Sequence, residues 1–445
     1  MKNSILILLI ICHSNLYLTA QVDAGDRLIG MHITAPENED FLTATYTSID
    51  ACAAVTHMST PWSLLETTPG AFDGESVGYL EVANQYYPGF GLKVELNIAV
   101  TNTVTREIPE ELESLDWDDP LMISHFNVLL DSVFSRISDV ELVALLIGNE
   151  SDIMMGTDVE EVTHFKNFIE AVKVHAEEIY FDMHGTDLLV GTTLTYHGLT
   201  DAATSAIYHD LIEVTDLISV TYYHMGPNFH VLTPELVSAN WQLLDEVYLD
   251  NEKPIHFVEC GCPSATLLDG SEEHQAEFIS AVFDAWDSQI SRVKVVNFFM
   301  LHDWSQAFVD ELSVYYGLEG NNEFTEYLRT LGLRTFPGAG EDKLSIERLR
   351  CEADARNFCD AVCVTNAEGF EVGGFQIFPN PAEEFIYVES SWDGFVSIFD
   401  IHGRMVHTQK LVRGVNQLST LLTEGVYVVR MNNGVESRRQ KLVIK

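Results

Sequence analysis

Two glutamates in this sequence close oily runs. Glu150 ends "LVALLIGNE", where residues 142–148 lead through Asn149 to the acid, and Glu259 ends "PIHFVE" at 254–259. Phe257 and Val258 are strand-interior residue types, and a carboxylate that follows them with no polar lead-in is costly unless it is used or paired. Two carboxyls facing one bound group suit cleavage of a glycosidic bond. The leaving oxygen needs a proton, while the anomeric carbon, gaining positive character, needs a nucleophile or an ion pair. A gap of about 5 to 5.5 Å lets the second carboxylate attack directly with retention of configuration; about 6.5 to 9.5 Å admits a water and inverts it. Asn149 is placed to donate to a sugar 2-hydroxyl, a contact that tightens in the transition state. Glu150 must stay protonated to act as the acid, which asks for burial or for the charge of Glu259 nearby. The plain alternative is a pair of structural carboxylates, because 61 acids precede residue 373 and some must follow strands by chance.

The elements that would hold these residues read as an alternation of strands and helices. Strands are expected at 27–33, 54–60, 92–100, 142–148, 187–195, 217–223, 254–260 and 293–301; helices with apolar residues three and four apart are expected at 122–137, 160–181, 236–249 and 272–289. Eight such units fit a (β/α)8 TIM barrel over residues 21–333, an α/β fold whose chemistry sits at the C-terminal ends of the strands. Glu150 would then follow strand four and Glu259 end strand seven, on nearly opposite sides of one mouth. An open doubly wound sheet competes, but no G-x-G-x-x-G follows the first strand and no GxxxxGK[ST] occurs. No cofactor is therefore read from the sequence.

Other residues at strand ends fit the same mouth. Trp62 follows strand two, Tyr222 and Tyr223 end strand six, and Trp304 follows strand eight. Flat aromatic faces pack on sugar rings, and a tyrosine hydroxyl beside a carboxylate holds it ionised and oriented. His32, His197, His224 and His302 are candidates for hydrogen bonds to sugar hydroxyls. No HExxH pair or His-x-His clamp ties them into a metal site. Each aromatic could equally be core or rim packing.

Residues 334–372 lose helical order and read as a linker carrying Cys351, Cys359 and Cys363, the expected place for a local staple. Near Glu259, Cys260 and Cys262 are expected either to be free thiols or to contribute one bond to a distant cysteine, since a bridge across one glycine would be strained. From residue 373 to 445 short alternating runs between turn signals at 400–404 and 432–434 suggest a small β-sandwich. Composition breaks at the same point. The last 73 residues carry 8 Lys+Arg against 7 Asp+Glu, and everything before them 16 against 61. A net charge of −44 repels nucleic acid and anionic membrane alike. The opening "MKNSILILLIICHSNLYLTA" puts one lysine ahead of a short apolar run and reaches Ala20, as a secretion signal does. No later stretch is long and apolar enough for a transmembrane segment.

With these residues in view, the chain resembles the (β/α)8 clan of retaining glycoside hydrolases that place Asn-Glu after strand four and a glutamate at the end of strand seven. The matching pieces are "IGNE" at 147–150, "HFVEC" at 256–260, "PWSLLETTPGAFD" at 61–73 and "FMLHDW" at 299–304. The resemblance implies Glu150 as acid/base, Glu259 as nucleophile, Asn149 on the 2-hydroxyl, Tyr222 or Tyr223 as partner of the nucleophile, and a β-linked polysaccharide or oligosaccharide such as a galactan, mannan or glucan. One departure is the absence of an arginine at the end of strand two, where several members of that clan carry one. The tail resembles the type A sorting domain of the type IX secretion system of Bacteroidota through "IFPNPA" at 377–382, "IFDIHGRMV" at 398–406, "LSTLLTEGVYVVRM" at 418–431 and the terminal "KLVIK". That resemblance implies export across the outer membrane, removal of the tail, and release or attachment at the cell surface.

Two rivals stand beside this reading. A catalytically inactive barrel that binds carbohydrate or supports a surface complex would keep Trp62 and Trp304 without needing both carboxylates. A metal-dependent lyase or an aldolase would show clustered ligands or a strand-end lysine, whereas Lys253 and Lys294 fall at strand starts.

Overall fold

A computed structural model describes residues 22–68, 70–74, 76–359 and 363, together with 375–378, 382, 385–390, 393–399, 405–418, 422–423, 425–432 and 437–444. The expected secretion signal at 1–20, the tail turns at 400–404 and 433–434, and most of 360–374 lie outside the described residues.

Eight strand positions form the barrel wall: β1 Leu28–Met31, β2 Val55–Pro61, β3 Lys93–Asn102, β4 Leu142–Asn149, β5 in two pieces at Val190–Gly191 and Thr193–Thr195, β6 Ile218–Tyr223, β7 Ile255–Gly261 and β8 Val293–Phe298. All pair in parallel with their neighbours, and β1 pairs with both β2 and β8. The first piece of β5 pairs with β4 and the second with β6, so the ring passes through Thr192. Strands covered on both faces read as continuous apolar runs; β4 and β7 are buried along almost their whole length. The outer layer includes α1 Phe41–Asp50, α2 Val77–Phe90, α3 Pro120–Arg136, α4 Val159–His184, α5 Ser205–Ile212, α6 Leu236–Val247 and α7 Glu272–Ser288. Side-chain caps set the starts of α1, α3, α4 and α7. Asp158, for example, accepts from the backbone N–H groups of Glu160 and Glu161 at 3.1 and 3.2 Å, satisfying two donors a helix leaves open.

After β8 the chain makes a helical hairpin, α8 Gln306–Tyr315 and α9 Asn322–Arg329. It then returns to the strand end, where Leu333 N–H donates to Met300 O at 2.8 Å. The stretch expected as linker contains α10 Leu344–Ala355, whose Ile346, Leu349 and Ala353 join the barrel's apolar core. Arg356 pairs with Asp287 at 2.8 Å, and a disulfide joins Cys359 to Cys52. Packing of the barrel therefore runs on to Cys359 instead of stopping at Leu333. Cys351 bonds Cys363, the local staple; Cys260 and Cys262 are free and buried.

The tail folds as two antiparallel sheets. The strands are β9 Phe375–Phe378, β10 Tyr387–Ser390, β11 Gly394–Phe399, β12 Met405–Leu411, β13 Gly414–Gln417, β14 Gly425–Asn432 and β15 Ser437–Ile444. They order as β9-β10-β13 and β12-β11-β14-β15. Ile377 and Val388 of one sheet share a single apolar cluster with Val396, Ile398, Val429 and Leu442 of the other, the packing of a small sandwich. Among the described residues no helix is long and apolar enough to cross a membrane.

Candidate active site

Glu259 owes its direction to an irregularity in β7. Phe257 lies against Val220 of β6 and Val296 of β8, yet the next matched residues are Glu259 with Thr221 and Cys260 with Phe298. One extra residue in β7 accounts for both shifts. Phe257 points outward, its ring 3.9 Å from that of Trp241 in α6, and Val258 clusters with Ala144 and Leu146 of β4. Plain alternation would turn Glu259 outward after Val258. The bulge turns it back into the barrel mouth, a use to which bulges beside functional sites are put.

Glu150 is aimed by a different device. Gly148 has φ 92°, and a Cβ there would come within 2.7 Å of the hydroxyl oxygens of Thr101 and Ser151. Only glycine fits. Two residues later Glu150 itself takes the left-handed conformation, φ 47° and ψ 42°, which costs a non-glycine residue on the order of 1 kcal/mol. Its carboxylate accepts from Thr221 Oγ1 at 2.8 Å and from Thr103 Oγ1 at 2.9 Å.

Thr221 joins the two acids. It is the register partner of Glu259 across the β6–β7 pair, and its hydroxyl reaches Glu150. Since neighbouring strands lie about 4.8 Å apart, both carboxyls border one space. Tyr223, two residues on and facing the same way, donates to Glu259 Oε2 at 2.5 Å.

Electrostatics follow from this crowding. Burial raises the Glu150 carboxyl above its ordinary value, and the charge of Asp152 adds to it, while the hydroxyls of Thr221 and Thr103 oppose. Glu259 is pushed up to about 8 by burial and then by the charge of Glu150, against the donation from Tyr223. Two interacting carboxyls titrate as a pair, so this one keeps a proton through neutral pH.

Comparisons with known proteins bear on the two units separately. Residues 376–445 match the secretion system C-terminal sorting domain. No curated protein matches the chain in sequence. In fold, the chain is similar to the exo-beta-1,4-mannosidase Op5Man5 from Opitutaceae bacterium strain TAV5 at TM-score 0.54 and 14% identity, covering 74% of this chain and 59% of that one. This chain thus spans little more than half of that enzyme's length. GH5_18 from Streptomyces cattleya, solved in complex with GlcNAc, aligns at TM-score 0.53 and 15% identity, covering 75% of this chain and 82% of its own. GH5_18 from Bifidobacterium longum subsp. longum ATCC 55813 gives 0.54 and 13%, covering 75% and 79%. At such identities the likeness is one of fold, and the fold is the TIM barrel that precedes the sorting domain.

The other residues expected at the mouth divide. Asn149 ends β4 beside Glu150, its Nδ2 donating to Asn102 Oδ1 at 3.3 Å while its Oδ1 has no protein partner among the described residues. His32 packs its ring 4.7 Å from that of Phe299, and Trp304 meets the same Phe299 edge-on at 5.6 Å. Burial holds His32 neutral, at about 4.

Three expectations move elsewhere. Tyr222 lies in the helix-facing layer, hydrogen-bonded to His224 Nδ1 at 2.7 Å and to Asn240 at 3.0 Å; Tyr223 alone reaches a carboxylate. Trp62 is fully buried against Phe126 and donates to Glu66 at 2.6 Å, so no ring face is open to a sugar. His197 stands in solvent on the short helix after β5, 3.8 Å from Asp201. Of the remaining histidines, His224 Nε2 donates to Thr233 O and His302 Nδ1 to Thr34 O, both inside the packing.

Around the two acids, sequence reasoning did not name Thr103, Thr221 or Phe299. Thr221 and Tyr223 share strand parity, a signal present in "TYY"; nothing local singles out the others. His57, the third residue of β2, is buried with no hydrogen-bond partner for either ring nitrogen among the described residues, and burial holds it neutral at about 3. Among the described residues no three His, Cys, Asp or Glu side chains are grouped to hold a metal ion.

Proposed function

We propose that the chain is an exported retaining glycoside hydrolase acting on β-linked glycans, with Glu150 as acid/base and Glu259 as nucleophile. The observation that carries this reading is the Thr221 hydroxyl bonded to Glu150 from the residue beside Glu259, which brings two buried acids to one space. Asn149 takes the 2-hydroxyl, Tyr223 steadies the nucleophile, and Phe299, Trp304 and His32 supply a partly apolar rim for the sugar ring.

The resting pair shares a proton, and substrate decides where it goes. Positive charge growing on the anomeric carbon beside Glu259 favours that group's ionised form, as does the Tyr223 phenol, and leaves the proton on Glu150 next to the departing oxygen. After a glycosyl-enzyme forms, Glu150, now ionised, takes a proton from water. The fold neighbours include an exo-β-1,4-mannosidase and a GH5_18 variant from Streptomyces cattleya in complex with Manb1-4GlcNAc, so β-mannosides head the substrate panel, followed by β-glucans and β-galactans. The sorting domain supports export by the type IX route, with the opening segment and the tail removed on the way.

The test uses Glu150→Gln and Glu259→Gln on an aryl β-glycoside panel and on the matching glycan. Glu259→Gln should lose turnover on every substrate by about 10³-fold or more. Glu150→Gln should lose as much on the glycan but far less in the first step with a dinitrophenyl leaving group, which needs no proton. Full activity in both variants sinks the assignment.

A further inference from the structure

The hairpin after β8 is not needed to close the barrel, since β8 already pairs with β1 and β7. It crosses the mouth instead. At its base Tyr327 packs edge-on to Tyr223 at 5.4 Å and stacks on Phe229 of the loop after β6 at 5.7 Å. Leu328 and Phe324 join an apolar cluster with Phe299 and with Leu268 of the loop after β7. Its far end reaches the loop after β3. The Tyr315 hydroxyl lies 2.9 Å from Glu107 Oε1, 3.1 Å from Asn102 O and 2.5 Å from Thr105 Oγ1.

In the barrel order β3 and β8 are separated by β2 and β1. A bridge from the β6, β7 and β8 loops to the β3 loop therefore passes over the mouth beside the acids. Asn102 is the register partner of Asn149, and Thr103, the next residue, donates to Glu150; Tyr315 thus clasps the strip of backbone that carries a hydrogen-bond donor to that acid. Tyr327 packs on the same Tyr223 that donates to Glu259, and Tyr316 packs edge-on to Phe324 of α9 at 5.5 Å.

A site that cuts inside a polymer needs a groove open at both ends, so that sugars extend away from the acids on either side. Here the hairpin is fastened on two sides of the mouth, Tyr327 on Phe229 of the loop after β6 and Tyr315 on the loop after β3. Resting on the hydrolase reading above, we infer that the α8–α9 hairpin makes the site a pocket for a chain terminus, so that the enzyme releases one small unit from the end of a β-linked glycan and does not cut within the chain.

The experiment follows product sizes over time with the full-length chain's secreted form, on an end-labelled β-oligosaccharide ladder and on the parent polymer. The expected result is a single small product from the first minutes, with viscosity falling only as fast as that product appears. Early mixtures of mid-length fragments and a steep loss of viscosity overturn the inference while leaving the hydrolase reading intact. Absence of turnover on all aryl β-glycosides overturns that reading, and this inference with it. Tyr315→Phe removes the clasping hydroxyl and should raise the ratio of polymer to aryl-glycoside kcat/KM about fivefold, the effect of one net hydrogen bond on an open-to-closed equilibrium. An unchanged ratio in a variant that melts like the wild type assigns the hairpin a structural role and overturns the inference.

Discussion

Replacing Glu259 by Gln should make this protein more stable, and increasingly so as pH rises. Glu259 is 9% exposed, and its carboxyl is pushed from 4.5 to about 8 by burial and by Glu150. An acid whose native value is raised binds its proton more tightly folded than unfolded. Between the unfolded and folded values the native state holds the extra proton, so stability falls across the window from about pH 4.5 to 8. At ~1.4 kcal/mol for each tenfold, the full shift corresponds to roughly 4 to 5 kcal/mol. Proton sharing with Glu150 and residual water access reduce this to on the order of 3 kcal/mol. A glutamine keeps the shape and still accepts from Tyr223, but carries no charge to desolvate. For a domain of this length ~3 kcal/mol is about 4 °C in Tm. Thermal melts of wild type and Glu259→Gln at one scan rate should nearly coincide at pH 5 and separate by about that much at pH 8. A gap that is constant with pH, or absent at pH 8, would refute the picture of two mutually repelling buried acids.

Further outcomes test other parts of the site. Tyr223→Phe removes a donor to an ionised carboxylate worth about 1.5 to 3 kcal/mol, so the acid limb of kcat/KM should move up by about 1 to 2 pH units, with the alkaline side less affected; a uniform loss at all pH values would assign Tyr223 to packing. Trp62→Phe strips the buried Glu66 of its 2.6 Å donor and should lower stability by about 1 to 3 kcal/mol while KM holds. A large rise in KM would put Trp62 back among the sugar contacts. Replacing Cys52 and Cys359 together by serine opens a tie across 307 residues and should cost about 2 to 5 kcal/mol, read as a lower urea midpoint against wild type in the absence of reductant.

Much of the barrel was legible because buried parallel strands announce themselves as apolar runs, and all eight fall where such runs lie. The limits lie where a side chain's direction depends on a local break in regularity. Nothing in "HFVECG" states that Val258 is an extra residue, although that insertion decides which way Glu259 faces. The choice between Tyr222 and Tyr223 was within reach, since one strand cannot present both to the same face. Trp62 looked available because tryptophan after a strand suits a sugar; Glu66, four residues on, had the carboxylate that keeps its indole inside. The partner of Cys359 was out of reach, for its distance along the chain carries no signal. Likewise "SIERLRCEADA" at 345–355 has helical spacing, but only α7 beneath it shows that it belongs to the barrel.

The bond between Cys52 and Cys359 also bears on how the protein can be trimmed. It fastens the segment after the barrel's last helix to the end of its first, and the second bond ends at Cys363, before the earliest strand of the sandwich at Phe375. A protease cutting between those points severs nothing that either sulfur bridge encloses. Both sulfur bridges would stay whole in a chain cut there.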